Sequence, residues 1–420
     1  MTKTINTRLK LQLSNSQKVF EVLNQSVPVL IGIFIFLNPI PHTTAIKNIC
    51  FYLAVLIVLV LIVFKRSAFI FKTPLTLPLM CFFLWASLSI FWSLNMENSI
   101  HDVRAHLLNH IMLYFLLINS FSSRKGLTVL AWIVIISATI FSVAGMYYFY
   151  VILGNPIASR FGYLSIGNVA NVSPELPVNF IGTVTVFAIL ICLHFIFQER
   201  PLYSRAAIIT CLLSLFAATI LTRSRGTFIA LVLAVTIQLL LKNKKIIPVF
   251  LLAIAGIVVM SPLKSRINIG ALKQRLKINY VTYQVIKDYP ITGIGFGMQT
   301  FVNSIDINSY INSIPKKKRP TDIYTPHNWL LSIAVRLGIV GLILFLSIIV
   351  VFGRMCWKTI RHAKDDCIRD WAYCVVISFV AYCTIGIVEP VFLFKSSAIV
   401  FYIILAMITI LWRLNQGEAT

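Results

Sequence analysis

Acidic residues are scarce in this chain. Of its 420 residues only 13 are Asp or Glu, against 37 Lys or Arg, and all charged residues together make up 12%. A soluble domain carries about a quarter charged residues, so that class is excluded. The apolar stretches are almost free of carboxylates, which argues against a proton-coupled transporter, since such a path needs titratable groups. No GxxxxGKS/T segment exists, so nothing cradles the phosphates of ATP. No acidic DxD or ExD loop offers a metal site. The eight cysteines (Cys50, Cys81, Cys192, Cys211, Cys356, Cys367, Cys374 and Cys383) form no CxxC pair and no Cys/His metal spacing. They are expected to serve as small buried apolar residues. Gly293, Gly295 and Gly297 lie close together but lack the strand–helix setting of a nucleotide fold. No repeat at a fixed period is visible. The first eighteen residues are polar and basic, without the apolar core and small-residue cleavage site of a signal peptide. Asn171-Val172-Ser173 fits a glycosylation sequon, a triplet frequent by chance.

What the chain does have is apolar runs. It is 58% hydrophobic, with mean hydropathy +0.87, and runs near the roughly 20 residues that cross a bilayer recur throughout. The expected architecture is all-α: one polytopic membrane unit over 1–420 with about twelve spans. They fall near 24–40, 46–64, 75–94, 104–121, 128–152, 177–197, 206–222, 226–242, 246–261, 328–352, 371–388 and 391–412. The weakest is 104–121, which carries Arg104, His106, Asn109 and His110. Basic clusters occupy alternate gaps: Lys65 and Arg66; Arg124 and Lys125; Arg200 and Arg205; Lys242, Lys244 and Lys245; Arg354 to Arg369. The positive-inside rule places these in the cytoplasm, with both termini. The opposite gaps are poor in charge or hold acids such as Glu97, Asp102, Glu175 and Glu389. This asymmetry also accounts for the net charge of +24, so no nucleic-acid partner is expected.

One gap departs from the pattern. Residues 262–326 form a long outer loop that carries ten basic residues and three acidic ones, a net +7. Long loops translocate regardless of charge, so the topology survives. The excess, including Lys316 to Arg319, fits an anionic partner, either lipid phosphate or a phosphorylated substrate. Residues 271–289 read as an amphipathic helix, with Leu272, Leu276, Tyr280, Tyr283 and Ile286 at helical spacing and Pro290 ending it.

Three places could carry chemistry. Arg223 and Arg225, in Thr222-Arg223-Ser224-Arg225-Gly226-Thr227, sit at an outer membrane edge. They suit phosphate oxygens, because guanidinium is planar, permanently charged and donates in pairs; ordinary snorkelling is the alternative, especially for Arg223. Arg275 lies on the amphipathic helix, and residue type alone does not separate it from Lys273 or Lys277. His327, at the mouth of the tenth span, can take a proton from a hydroxyl or can simply be a polar residue at a helix start.

Three blocks together resemble the O-antigen ligase/polymerase superfamily of bacterial inner-membrane proteins. Ser224-Arg225-Gly226-Thr227 is similar to that family's SRG block. Arg275, followed fifteen residues later by Pro290 within RLKINYVTYQVIKDYPITGIGFGMQTF, resembles a second block. HNWLLSIAVRLGIVG fits a ligase pattern through His327, Asn328, Gly338 and Gly341. The polymerase pattern of Arg, ten residues, then Gly fails at Arg160, Arg266, Arg275 and Arg319, where Asn171, Lys277, Ile286 and Leu330 stand instead.

The resemblance implies a glycosyltransferase with a periplasmic active site. Its donor would be undecaprenyl-diphosphate-linked O-antigen and its acceptor a hydroxyl of lipid A–core oligosaccharide, among membrane lipids. Arg225 and Arg275, with Arg223 beside them, would hold the diphosphate, and His327 would be the base. No metal and no cofactor would be needed, because the donor bond supplies the energy. A non-enzymatic lipid or glycan transporter is the reading from another class; it should show an internal repeat and polar residues deep in its spans.

Overall fold

The computed structural model describes residues 2–66, 69–162, 178–198, 201–260, 269–316, 319–320, 325–392 and 394–417. The Asn171 sequon, Glu175, Lys264, Arg266, Lys317, Lys318 and Asp322 lie outside them. Among the described residues every regular element is helical. In chain order these are α1 (Thr2–Leu37), α2 (Thr44–Val63), α3 (Thr76–Leu88), α4 (Met96–Asp102), α5 (Asn109–Ser120), α6 (Arg124–Met146), α7 (Val178–Ile196), α8 (Leu202–Leu221), α9 (Arg225–Lys242), α10 (Ile247–Met260), α11 (Ile269–Asp288), α12 (Thr300–Asn303), α13 (Ile307–Ser313), α14 (Trp329–Arg361), α15 (Asp366–Gly386) and α16 (Lys395–Gln416).

Each of the twelve expected spans falls on one of these helices, but not all have the same reach. Among the described residues eight are long and apolar enough to cross a membrane: Gln17–Leu37 of α1, α2, Arg124–Ile152, α8, α9, α14, α15 and Ser396–Gln416 of α16. Thr76–Trp92 and Phe180–Ile196 are apolar but shorter, and α10 has 14 residues. The weak stretch 104–121 is part of a longer helix, in which α4 passes through a π-helical turn, Val103–Leu108, into α5. Three of its four polar residues contact protein, while Arg104 is exposed. His110 stacks on Tyr402 at 5.4 Å with its Nδ1 2.6 Å from the His106 carbonyl, and Asn109 donates to the Tyr52 hydroxyl at 3.1 Å. His110 and Asn109, which look costly in lipid, therefore face neighbouring helices.

The centre of the bundle is α16, whose apolar window is 89% buried. Phe345, Phe392 and Phe401 interlock beside it, with ring centroids 4.8 and 5.2 Å apart. The outer segment builds a second, smaller core from Val285, Ile294, Phe301 and Val335. Within it α11 ends before Pro290, as expected, but its buried face is Ile278, Val281, Thr282 and Val285, while Leu276 and Tyr283 stay exposed. The protein side of α11 is thus rotated from the expected stripe, because the helix packs on α14.

Polar contacts gather at the two ends of the bundle. At one end Arg124 pairs with Asp365, Lys242 with Asp370 at 2.5 Å, and Arg413 donates to the Ile118 carbonyl at 2.9 Å. At the other, Trp85 donates to the Leu337 carbonyl at 2.9 Å and Trp92 to that of Thr292 at 3.1 Å. The basic residues Arg354, Lys358 and Arg361, expected in a loop, are still helical, since α14 runs on to Arg361. Cations in the last turns complement the helix dipole and snorkel outward.

Asp365 caps α15 by accepting from the Ile368 N–H at 2.8 Å. Burial pushes its carboxyl upward, but that N–H and the Arg124 guanidinium outweigh burial and hold it below the usual range. A depressed carboxylate stabilises the fold above its unfolded value and loses that contribution as pH falls through the folded one. Asp365→Ala should therefore cost about 1 kcal/mol at neutral pH. The gap between variant and wild type should close in acid below about pH 3.9, as read by thermal unfolding in detergent.

Candidate functional site

The turn between α8 and α9 has a structural logic for nearly every residue. Ser224 caps α9, its Oγ accepting from the Thr227 N–H at 3.4 Å. Thr227 sits so close to Gly182 that a Cβ there would lie 2.2 Å from its Oγ1, and a Cβ on Gly226 would lie 2.5 Å from Val388. Arg225 alone is not explained by helix formation. It is the first residue of α9, where a cation opposes the positive end of the helix dipole, by about 0.3–1 kcal/mol. An anion placed there would meet both the guanidinium and the positive end of the helix dipole.

The start of α14 separates two roles that residue type left open. Asn328 is the cap: its Oδ1 accepts from the N–H groups of Leu330 and Leu331 at 2.9 and 3.0 Å, and its Nδ2 donates to the Ile387 carbonyl at 3.3 Å. His327, one residue earlier, is left with no capping duty.

Nine residues further on α14 breaks. Gly338 has φ 65 and ψ −169, a conformation open essentially to glycine alone. Its Cβ position would be 2.0 Å from the Ile291 carbonyl oxygen. The carbonyls released by the break are taken up by the 290–297 segment: Ile294 and Gly295 donate to Val335 and Arg336 at 3.1 and 2.9 Å. The glycine-rich stretch is therefore a splice for a broken helix. Arg336, fully buried, fastens it by donating to the Gly297 and Met298 carbonyls at 2.6 and 3.0 Å. Asp102 holds the Met298 N–H from the other side at 2.6 Å. Gly338→Ala combines backbone strain with overpacking, each about 1–3 kcal/mol. It should lower the thermal midpoint sharply or prevent accumulation, whereas Gly353→Ala, with nothing within 4 Å of its Cβ position, should not.

The segment joining α15 to α16 draws these pieces together at Glu389. The Arg275 guanidinium donates to Glu389 Oε1 at 3.0 Å, and His327 Nδ1 lies 3.5 Å from Glu389 Oε2. The carboxylate is 10% exposed, the imidazole 27% and the guanidinium 35%. Val388, next to Glu389, is the residue against which Gly226 is packed, so Arg225 begins its helix beside the same segment. Trp329 lies against Gly386 in the same way, 3.1 Å from its Cβ position. Arg275 and His327, 52 positions apart in sequence, thus meet at one carboxylate, and α9 begins with Arg225 beside the segment that carries it.

Arg223 is turned elsewhere: it occupies a left-handed conformation, φ 49, and donates to the Ile157 carbonyl at 3.1 Å. Arg319, from the basic run, donates to the carbonyls of Ile314 and Asn312 at 3.1 and 2.8 Å and so closes off α13. Gly341 makes room for Leu337 after the break. Sequence reasoning passed over Glu389, counted only as one of the acids in the outer gaps, and over Arg336 and Asp102. The signal was there: a lone charge inside or between apolar runs is by default a site. Among the described residues no cluster of three or more His, Cys, Asp or Glu stands ready to hold a metal ion.

Fold and site define a polytopic membrane protein with an arginine–carboxylate–histidine constellation at one end of its helical bundle. The family model described as O-antigen ligase matches residues 206–346. That stretch runs from α8 into α14 and contains Arg225, Arg275 and His327; over it the chain is similar to the O-antigen ligase family. No curated protein matches the chain.

Proposed function

We propose that the protein is an O-antigen ligase, moving a glycan from undecaprenyl diphosphate to a hydroxyl of lipid A–core oligosaccharide on the periplasmic face of the bacterial inner membrane. The observation that carries this reading is the Glu389 bridge, with Arg275 on one carboxylate oxygen and His327 facing the other. Glu389 favours the tautomer with its proton on Nδ1, which leaves Nε2 as the base. The 3.5 Å separation is long for a hydrogen bond, as is common before substrate arrives.

The acceptor hydroxyl gives its proton to Nε2 while its oxygen bonds to the anomeric carbon. The bond from that carbon to the diphosphate oxygen breaks, and its electron pair leaves on polyprenyl diphosphate. Arg225 and Arg275 meet the developing charge, with fixed donors in a water-poor setting that need no reorganisation. Glu389 stabilises the imidazolium. The energy resides in the donor bond, so the reaction is written without ATP or metal, and a single displacement inverts the anomeric centre.

The test is a purified reaction of polyprenyl-diphosphate glycan with lipid A–core, free of ATP and divalent metal. Capped core of inverted configuration is expected. Growth of the carrier-linked chain with no capped core would make the protein a polymerase, and no transfer at all would favour a transporter. Within the site, Glu389→Gln should lower turnover less than loss of His327 does. Glu389→Leu should weaken donor binding as well, because it releases Arg275.

A further inference from the structure

A cavity lies at the end of the bundle away from Glu389. Its volume is about 460 Å³, and it is lined by Asn24, Gln25, Arg66, Asn119, Ser120 and Arg413, with Val58 and Phe69 at its apolar wall. Arg413 stands on the last turn of α16, eighteen residues beyond the helix start at Lys395, which is about 27 Å along the axis at 1.5 Å per residue. Glu389 precedes that start.

Two observations mark this cavity as a place for an anion. Arg413 is 3% exposed, makes one hydrogen bond to a carbonyl, and keeps a buried Nε with no partner. A guanidinium removed from water with unfilled donors costs free energy that a bound anion would offset. The second cation, Arg66, is exposed and reaches over the Phe20 ring at 5.2 Å. Neither arginine joins any ion pair formed among the described residues.

A third observation selects a lipid over a free anion. Val58 and Phe69 also line a second cavity, about 120 Å³, whose other walls are Val55, Leu59, Ile62, Phe71, Met112, Phe115 and Leu116. A polar chamber with two guanidiniums therefore adjoins, across Val58 and Phe69, a groove between α2 and α5 lined by apolar residues. We propose that this pair of cavities binds one anionic phospholipid, its phosphate headgroup held between Arg66 and Arg413 and an acyl chain in the groove. Such a lipid would clamp α1, α2, α5 and α16 at the end opposite the Glu389 site. The inference stands apart from the proposed reaction, since neither arginine belongs to that site.

The full-length protein, purified in detergent with equal amounts of phosphatidylglycerol and phosphatidylethanolamine, should carry phosphatidylglycerol with at least tenfold preference in native mass spectrometry. Arg66→Gln and Arg413→Gln should each lose that preference, and added phosphatidylglycerol should raise the thermal midpoint of wild type but not of Arg66→Gln. Because Arg66 is exposed, its variant folds even where Arg413→Gln does not. Equal occupancy by the two lipids, or retention of the preference in Arg66→Gln, would overturn the proposal. So would displacement of the bound lipid by inorganic phosphate, which would mark a site for a free anion.

Discussion

His327→Ala should lower glycan transfer by about 10²- to 10⁴-fold, the range that a positioned general base supplies, with donor affinity unchanged. A sugar hydroxyl is a weak nucleophile, and among the described residues no other group at the α15–α16 junction has both a titratable nitrogen and a carboxylate behind it. Because Asn328 rather than His327 caps α14, the substitution removes the base without removing the helix start. In cells the consequence is specific. Polymer should accumulate on its lipid carrier while the core stays uncapped. Core capped by single repeat units would instead reveal a polymerase, and absence of carrier-linked polymer outside the membrane would reveal a transporter. Normal capping would remove His327 from the chemistry.

Loss of the two arginines should be at least as damaging. In the proposed reaction the leaving group is a diphosphate, already stable and heavily charged, which needs fixed positive charge rather than an acid. Removing one such donor from a water-poor site typically costs about 10²- to 10³-fold in turnover. Arg225→Gln and Arg275→Gln should each fall in that range, and the double variant should be inactive within detection. Lysine should not rescue either position, because a point charge does not reproduce the planar fork that engages two phosphate oxygens. Arg275→Gln also leaves the Glu389 carboxylate, 10% exposed, without its cation. That exposes the fold to part of the several kcal/mol by which breaking a buried pair destabilises, so a thermal midpoint must accompany the rate. Arg275→Gln with Glu389→Gln removes the orphaned charge and should recover stability but not transfer.

The helical architecture was legible because apolar runs of bilayer length leave few alternatives, and each expected span lands on a helix. Lengths were less legible. Hydropathy reads lipid, and it undercounts helices such as α14, whose basic last turns emerge from the apolar run, and misjudges 104–121, whose His110 and Asn109 side chains face α16 and α2 rather than lipid. In the site, Arg225 stood out locally, at a span edge beside Gly226, whereas Arg275 and His327 rose above their ordinary readings only because three separated blocks matched one family pattern; locally Arg275 resembled its lysine neighbours. Glu389 was missed because its partners are 114 and 62 positions away. Nothing in the local sequence encodes a bridge that forms only once α15 turns into α16. Gly338 and the 290–297 glycines were visible as a pattern, but that they splice one broken helix is a tertiary fact.

The most direct test of the site is equilibrium binding of undecaprenyl diphosphate, the carrier end of the proposed donor, to the purified protein. His327→Ala should bind as wild type does, while Arg225→Gln/Arg275→Gln should bind at least tenfold more weakly with its thermal midpoint controlled for. Wild-type affinity in the double arginine variant would contradict the central claim that these two guanidiniums hold the diphosphate.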